Sequence, residues 1–142
     1  MPLPDGRTCL TVAFVVGTYA EMLQAAQPYI DQPNIMFAVT PSIDLHWPTA
    51  LERRRQVVGY GEMVKWTDPV RQLIRQGMVV HSGETMLAEH MQRAVAVRSQ
   101  NSIALSSQRS PGPIELARCA VWATALASKP KAQGKPAFGI AS

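Results

Sequence analysis

The chain has 142 residues, of which 46% are hydrophobic and 17% are charged. This composition is typical of one globular domain, and it excludes a largely disordered chain. The apolar run at residues 119–128 is too short to span a bilayer, and Pro4 and Asp5 stand where a signal peptide needs a basic region. We therefore expect a cytoplasmic protein with no membrane segment.

The charge is distributed unevenly along the chain. Residues 1–50 contain one Arg and four acidic residues, a net charge of −3, whereas residues 51–142 contain thirteen basic and six acidic residues, a net charge of +7. A basic part of this size predicts a polyanionic partner such as nucleic acid, because phosphate contacts dominate that kind of affinity. A soluble basic surface without a partner is the alternative.

The first third of the chain predicts a β-α-β unit. Residues 9–16 form an apolar, β-branched run typical of a buried strand. Thr18 and Glu21 have the spacing of a capping box, which predicts a helix from there to about Tyr29. Residues 35–40 form a second apolar run, so the two strands are predicted to be parallel and adjacent.

The middle of the chain predicts helices. Thr49 and Glu52 form a second capping box, opening a helix over residues 50–66 that breaks near Tyr60. A shorter helix is predicted to begin at Thr67 or Asp68 and to stop at Gly77. Residues 78–81 then read as a short strand.

The last part of the chain predicts a helix, a hairpin, a helix and a tail. The first helix places Met86, Leu87, His90, Met91 and Ala94 on one face. Residues 95–98 and 102–107 are predicted to pair as a hairpin, and residues 114–127 to form the last helix. We expect a single α/β domain over residues 1–128 and a loose, basic tail over residues 129–142.

The order of these elements resembles a known family. A helix ending at Gly77, a link containing His81, a helix with Leu87 and His90 in L-x-x-H spacing, a loop containing Ser110 and a final helix beginning Ile114-Glu115 and including Ala123 follow one another. This arrangement is similar to the C-terminal end of the nuclease domain of tailed-phage terminase large subunits. The resemblance covers residues 10–128 and is most specific from residue 69.

The resemblance implies a ribonuclease H-like fold, a mixed sheet flanked by helices, here lacking the first strand or strands. It also implies an endonuclease dependent on Mg²⁺ or Mn²⁺, whose two metals are held by about three carboxylates. Glu115 matches the last of them, and one carboxylate cannot hold two metals, so cleavage requires that Asp44 or Glu84 approach Glu115 in the fold. Gly17 and Thr18 stand where the family has a second acid, and the family's ATPase motor is absent from this sequence.

These matches and departures imply a terminase-like protein of a bacterial host's cytoplasm that binds DNA with little or no cleavage of its own. Other phage packaging proteins are further expected partners. Glu115 is the candidate catalytic residue, and Glu115 and Asp44 are the candidate metal ligands. The alternative for Glu115 is purely electrostatic, since the helix dipole favours an acid in the first turn of a helix.

Basic side chains form the candidate DNA contacts. They are Arg53, Arg54, Lys65, Arg71, Arg75, Lys129 and Lys131. The alternative for the first five is a solvated helix face. His81 and His90 are interpreted as packing or hydrogen-bonding residues, and Cys9 and Cys119 as structural thiols.

Two other classes of protein fit the sequence. One is a non-enzymatic phage assembly or interaction module, in which a missing strand leaves a sheet edge for another chain or a second copy to cover. The other is a small α/β ligand-binding domain. That class needs a glycine-rich phosphate loop, and the sequence VVGTYAE has one glycine rather than the G-x-G-x-x-G pattern.

Overall fold

The computed structural model describes residues 2–99, 102–128 and 137–140, and it shows an α/β protein. The strands are short: β1 (Thr8–Leu10), β2 (Met36–Val39), β3 (Arg55–Val57), β4 (Val79–His81), β5 (Val95–Ser99), β6 (Ser102–Ser106) and β7 (Ala137–Ile140). The helices are α1 (Tyr19–Ile30), α2 (Pro41–Asp44), α3 (Tyr60–Arg75), α4 (Thr85–Arg93) and α5 (Glu115–Ser128), with a 3-10 helix at Thr49–Arg54. None of the described helices is long and apolar enough to cross a membrane.

The described strands form three small sheets. In one sheet β2 lies between β3 and β7 and is parallel to both. In another, β1 is parallel to β4. The third is the antiparallel hairpin of β5 and β6. This topology is compatible with the α/β class, whereas the single mixed sheet of a ribonuclease H-like fold stays a prediction.

The two faces of β2 contribute to two hydrophobic cores, because successive side chains of a strand point to opposite sides. Phe37 and Val39 belong to a core with α1, to which Met22 and Ala26 contribute. Ala38 belongs to the other core, which lies among α3, α5 and β6. Trp122 of α5 is fully buried there, and Trp66 packs against the same cluster.

The start of α1 follows the predicted capping box with a shift of one residue. The Thr18 hydroxyl accepts a hydrogen bond from the amide of Glu21 at 3.2 Å. The Glu21 carboxylate accepts one from the amide of Gly17 at 3.3 Å, not from Thr18. The first bond satisfies an amide that the helix start leaves without an intrahelical partner, and the second holds the residue before the cap against the first turn.

The predicted strand at residues 9–16 and the predicted β-α-β pairing are wrong. The strand is limited to Thr8–Leu10, and residues 11–16 have no regular secondary structure. The strand β1 pairs with β4, whereas β2 pairs with β3 and β7, so β1 and β2 are not neighbours. A run of β-branched residues favours extended backbone, but its strand partner is decided by contacts distant in sequence.

The helix predicted for residues 50–66 is also wrong over most of its length. The 3-10 helix at Thr49–Arg54 leads directly into β3, and α3 begins at Tyr60. The helix α3 continues through Pro69, and the hydroxyl of Thr67 donates to the carbonyl of Met63 rather than capping a new helix. A single helix therefore runs through residues 66–68, where the sequence predicted that one helix ends and another begins.

The predicted stop at Gly77 is confirmed. Gly77 has a φ of +72°, the left-handed region that glycine adopts without strain. Its amide donates to the carbonyl of Ile74, and the amide of Met78 donates to the carbonyl of Leu73. These two bonds are those of a Schellman motif.

The remaining predictions after Gly77 differ in outcome. The short strand β4, the helix α4, the hairpin and the helix α5 are confirmed. Residues 137–140 are corrected from loose tail to strand, because β7 pairs with β2 along Met36–Val39. The rest of the predicted tail, residues 129–136 and 141–142, lies outside the described residues.

Candidate functional site

A cavity of about 940 Å³ lies between the segment after β1 and the helices α1, α4 and α5. Its volume is near the upper end of the range for small-molecule sites. Its lining is mainly apolar, and the polar side chains in it come from several elements. The lining residues come from β1, residues 11–18, α1, the two segments that flank β2, α4, the start and middle of α5, and β7.

The helix α5 forms one wall of the cavity and is held closely against β7. Cys119, Ala120 and Ala123 of α5 line the cavity, as do Phe138 and Gly139 of β7. A Cβ atom on Gly139 would lie 2.9 Å from the carbonyl oxygen of Cys119, which is closer than real Cβ contacts. The absence of a side chain at Gly139 therefore permits this approach of helix and strand.

Glu115 brings a negative charge to the cavity. It lies in the first turn of α5, is half-buried, and is the only Asp, Glu, Lys or Arg among the described lining residues. No ion pair or hydrogen bond joins its carboxylate to another residue in the part of the chain that the structure describes. The positive end of the helix dipole lies at this first turn.

His90 links α4 to α5 beside Glu115. Its side chain is 8% exposed and lines the cavity. Its Nδ1 atom accepts a hydrogen bond from the amide of Leu116 at 3.1 Å. An Nδ1 atom that accepts a bond from a backbone N–H carries no proton, so the ring is neutral with its proton on Nε2. The predicted hydrogen-bonding role of His90 is confirmed.

Aromatic side chains line the part of the cavity near α1 and β7. The ring centroids of Phe14 and Phe138 lie 5.5 Å apart, and those of Tyr29 and Phe138 lie 4.9 Å apart. The Tyr19 hydroxyl donates to the carbonyl of His46, and burial raises the pKa of this phenol. This end of the cavity therefore presents apolar ring surface and keeps its tyrosine hydroxyl neutral.

Asp44 does not join Glu115 at the cavity. Its Oδ1 atom lies 2.5 Å from Nε of Arg55, and both side chains are largely buried. Ile43, its neighbour in α2, lines the cavity, whereas Asp44 itself does not. The carboxylate of Asp44 is thus already neutralised by a cation of this chain.

Glu84 has local partners as well. Its carboxylate accepts hydrogen bonds from the Ser82 hydroxyl at 2.5 Å and from the Val12 amide at 3.2 Å. The bond from Ser82 is the main cause of a pKa below the usual range for glutamate. Glu84 therefore holds the end of β1 against the start of α4.

The carboxylates of the described residues do not fit a two-metal centre. That chemistry needs about three carboxylates around one point, and no group of three or more His, Cys, Asp or Glu side chains in the described part of the chain is placed to hold a metal ion. Glu115 and Asp44 as metal ligands, and Glu115 as a catalytic residue, stay predictions from the resemblance.

Arg54, a predicted DNA contact, is engaged within the protein. Its guanidinium donates to the carbonyls of Tyr29, Ile30, Gln32 and Ile35. It also lies over the ring of Phe37, 5.3 Å from the centroid. These contacts tie the end of α1 to the start of β2.

The other predicted DNA contacts have different surroundings. Arg53, Lys65 and Arg75 are exposed, and Arg71 is half-buried with Asp68 at 3.8 Å. Lys129 and Lys131 lie outside the described residues. Arg53, Lys65 and Arg75 are thus the described members of the set with side chains available to a polyanion.

Comparison with protein-family models, with curated proteins and with solved structures gave no match.

Sequence reasoning missed the cavity itself. Residues 11–17, predicted largely as buried strand, form one side of it, and Phe138 to Ile140, predicted as tail, form part of another. Cys9 and Cys119, to which the sequence assigns no function, are both half-buried in its lining. These segments are far apart in the chain, and no local motif signals that they meet.

Proposed function

We propose that this protein is a DNA-binding relative of the terminase nuclease domain, with little or no metal-dependent cleavage of its own. The order of α3, β4, α4, the β5–β6 hairpin and α5 supports the proposal, because it is the order that the resemblance implies. The Schellman stop at Gly77 and the first turn of α5 at Glu115 fall at the resembling residues. Phage packaging proteins are further proposed partners.

The charge distribution supports the DNA-binding part. The net charge of +7 on residues 51–142 attracts a polyanion. Arg53, Lys65 and Arg75 are exposed and have no ion pair with another described residue. Such side chains are able to neutralise phosphates and release their counterions.

The absence of strong cleavage rests on the carboxylates. Glu115 is alone at the cavity, Asp44 is paired with Arg55, and Glu84 is bonded to Ser82 and Val12. A second metal would have no ligand set among the described residues.

Fluorescence anisotropy with duplex DNA tests the proposal over a range of salt concentrations. We expect the logarithm of the association constant to fall linearly with the logarithm of salt, with a slope of about −0.9 for each phosphate neutralised. Replacing Arg53, Lys65 and Arg75 together by Ala should reduce that slope by about 2 to 3 units. Incubation with supercoiled plasmid and Mn²⁺ should leave the plasmid intact.

The matched control is Arg7→Ala. Arg7 is an exposed arginine of the acidic first part of the chain, paired with Asp5 at 2.7 Å, and its replacement should leave the slope unchanged. Affinity without salt dependence would contradict DNA binding of this kind. Plasmid nicking that Glu115→Ala abolishes would contradict the loss of cleavage.

A second candidate is an interaction module that pairs through a sheet edge. In the described part of the chain β3 pairs only with β2, so its other edge is open. Val57 of β3 and the nearby Tyr60 are exposed, Tyr60 to 73%. An open edge with apolar neighbours favours pairing with another strand, and a second copy is the partner available in solution.

A further inference from the structure

We propose that the cavity between α1, α4, α5 and β7 binds an organic cation, a molecule that joins an ammonium group to an apolar body, with the ammonium paired to Glu115. This inference is independent of the DNA-binding proposal. It depends on the negative charge of Glu115 in the cavity, on the mainly apolar lining and on the neutral ring of His90.

The charge of the cavity is opposite to that of the chain. The whole sequence has a net charge of +4, yet Glu115 is the only formally charged side chain among the described lining residues. Its carboxylate is half-buried and has no ion-pair partner there. A cation placed beside it gains Coulomb energy in surroundings less polar than water, whereas an anion is repelled.

His90 does not supply the missing positive charge. Its Nδ1 atom accepts the bond from the Leu116 amide, which requires a neutral ring. Its Nε2 proton has no acceptor among the described residues. The histidine therefore leaves Glu115 to select the charge of the ligand.

The lining favours an organic cation over a metal ion. Mg²⁺ and Ca²⁺ take six or more oxygen ligands, and Glu115 alone supplies at most two. Most other lining side chains are apolar, such as Val12, Met22 and Leu87. A cation that carries its own hydrogen-bond donors and buries an apolar body matches this combination.

The aromatic side chains of the lining also favour a cation with an apolar body. Phe14, Tyr29 and Phe138 line the cavity, and the ring of Phe138 has its centroid 5.5 Å from that of Phe14 and 4.9 Å from that of Tyr29. Ring faces attract cations and also bury aliphatic or aromatic groups. A volume of about 940 Å³ accommodates a ligand larger than a single amino acid.

Isothermal titration calorimetry with three probes that share a phenyl ring and a four-carbon chain tests the proposal. The probes are 4-phenylbutylamine, 4-phenylbutan-1-ol and 4-phenylbutanoate, whose head groups are positively charged, neutral and negatively charged. We expect the amine to bind about tenfold more tightly than the alcohol, because a hydrogen bond between two charged groups is roughly twice as strong as one with a neutral partner. The carboxylate probe should bind more weakly than the alcohol.

Three variants locate the effect. Glu115→Gln should lower the amine affinity about tenfold and leave the alcohol unchanged. Glu89→Gln is the matched control, since Glu89 is a helix glutamate of α4 outside the cavity lining, and it should change neither affinity. Ala123→Phe should abolish binding of both probes, because Ala123 lines the cavity and the new ring fills it.

Several results would overturn the proposal. They are equal affinities for amine and alcohol, an amine affinity that survives Glu115→Gln, and binding of both probes to a folded Ala123→Phe protein. No binding of the amine at millimolar concentration would also overturn it. Circular dichroism and thermal melting of each variant show whether a loss of binding reflects unfolding, and the probe comparison on the unchanged protein stands whatever the variants do.

Discussion

Neighbouring arginines of this chain have different environments. Arg53 and Arg54 follow each other in the 3-10 helix, but Arg53 is exposed while Arg54 donates to four backbone carbonyls between α1 and β2. Arg55 pairs with Asp44. A run of three arginines looks like one basic patch in the sequence, and in the structure one of the three is left for solvent or a polyanion.

Arg54→Ala should lower the free energy of unfolding by about 2–4 kcal/mol, because four carbonyls lose a charged donor and Phe37 loses its covering cation. Urea denaturation followed by circular dichroism measures the change. Arg53→Ala is the control with the same change of residue type, and we expect an effect within about 0.5 kcal/mol. Equal losses for the two variants would contradict a structural role specific to Arg54.

Helix α5 packs against α3, α4, β1 and β7. Its first turn holds Glu115 and donates the Leu116 amide to His90, its middle packs on β7 at Gly139, and its buried face fills the second core around Trp122. The sequence predicts this helix well, because its apolar run and first-turn acid are local signals. The sequence gives no sign that β7 passes beneath it.

Gly139→Ala should destabilise the protein by about 1–3 kcal/mol, since the added Cβ meets backbone atoms of Cys119 that cannot rotate away. Thermal and urea unfolding measure this loss. Gly17→Ala is the matched control, because a Cβ there meets no heavy atom within 4 Å and Gly17 has no positive φ. A Gly139→Ala protein as stable as the unchanged chain would contradict the packing of α5 on β7.

At the scale of the whole molecule, the described strands form three small sheets. Among the described strands, β1 and β4 form a pair separate from the sheet of β3, β2 and β7, and α5 contacts strands of both. The cavity lies beside strands from both sheets, β1 and β7. In this arrangement one edge of β3 has no partner among the described strands. An unpaired edge of this kind allows a strand of a second copy to pair with it.

Multi-angle light scattering tests the interaction-module candidate at high protein concentration. If copies pair through β3, we expect a dimer that Val57→Lys converts to a monomer, because a lysine on an edge strand opposes pairing. Gln92→Lys adds the same charge on the exposed side of α4 and should leave the dimer intact. A clean monomer of the unchanged protein would count against this candidate.

Local signals explain which parts of the fold and site the sequence predicted. The cap at Thr18, the stop at Gly77, α4 and the β5–β6 hairpin depend on residues close in the chain, and all are confirmed. The strand at residues 9–16 and the helix at residues 50–66 failed, because the partners of β1 and β3 are distant in sequence. At the site, the sequence predicted that His90 packs or forms a hydrogen bond, but it did not predict that the bond comes from the amide of Leu116.

The sequence by itself determined the α/β class, the basic character of residues 51–142, the helices that end at Gly77 and begin at Glu115, and a resemblance that carries the DNA-binding proposal. Only the tertiary structure decided that Arg54 is a structural residue, that Asp44 is paired with Arg55 and that Glu115 is the one charged side chain among the described residues of a mainly apolar cavity. The physical reason is the range of the interactions. Caps and hydrophobic periods act within a few residues, whereas ion pairs, strand neighbours and cavities form between segments that only the folded chain brings together.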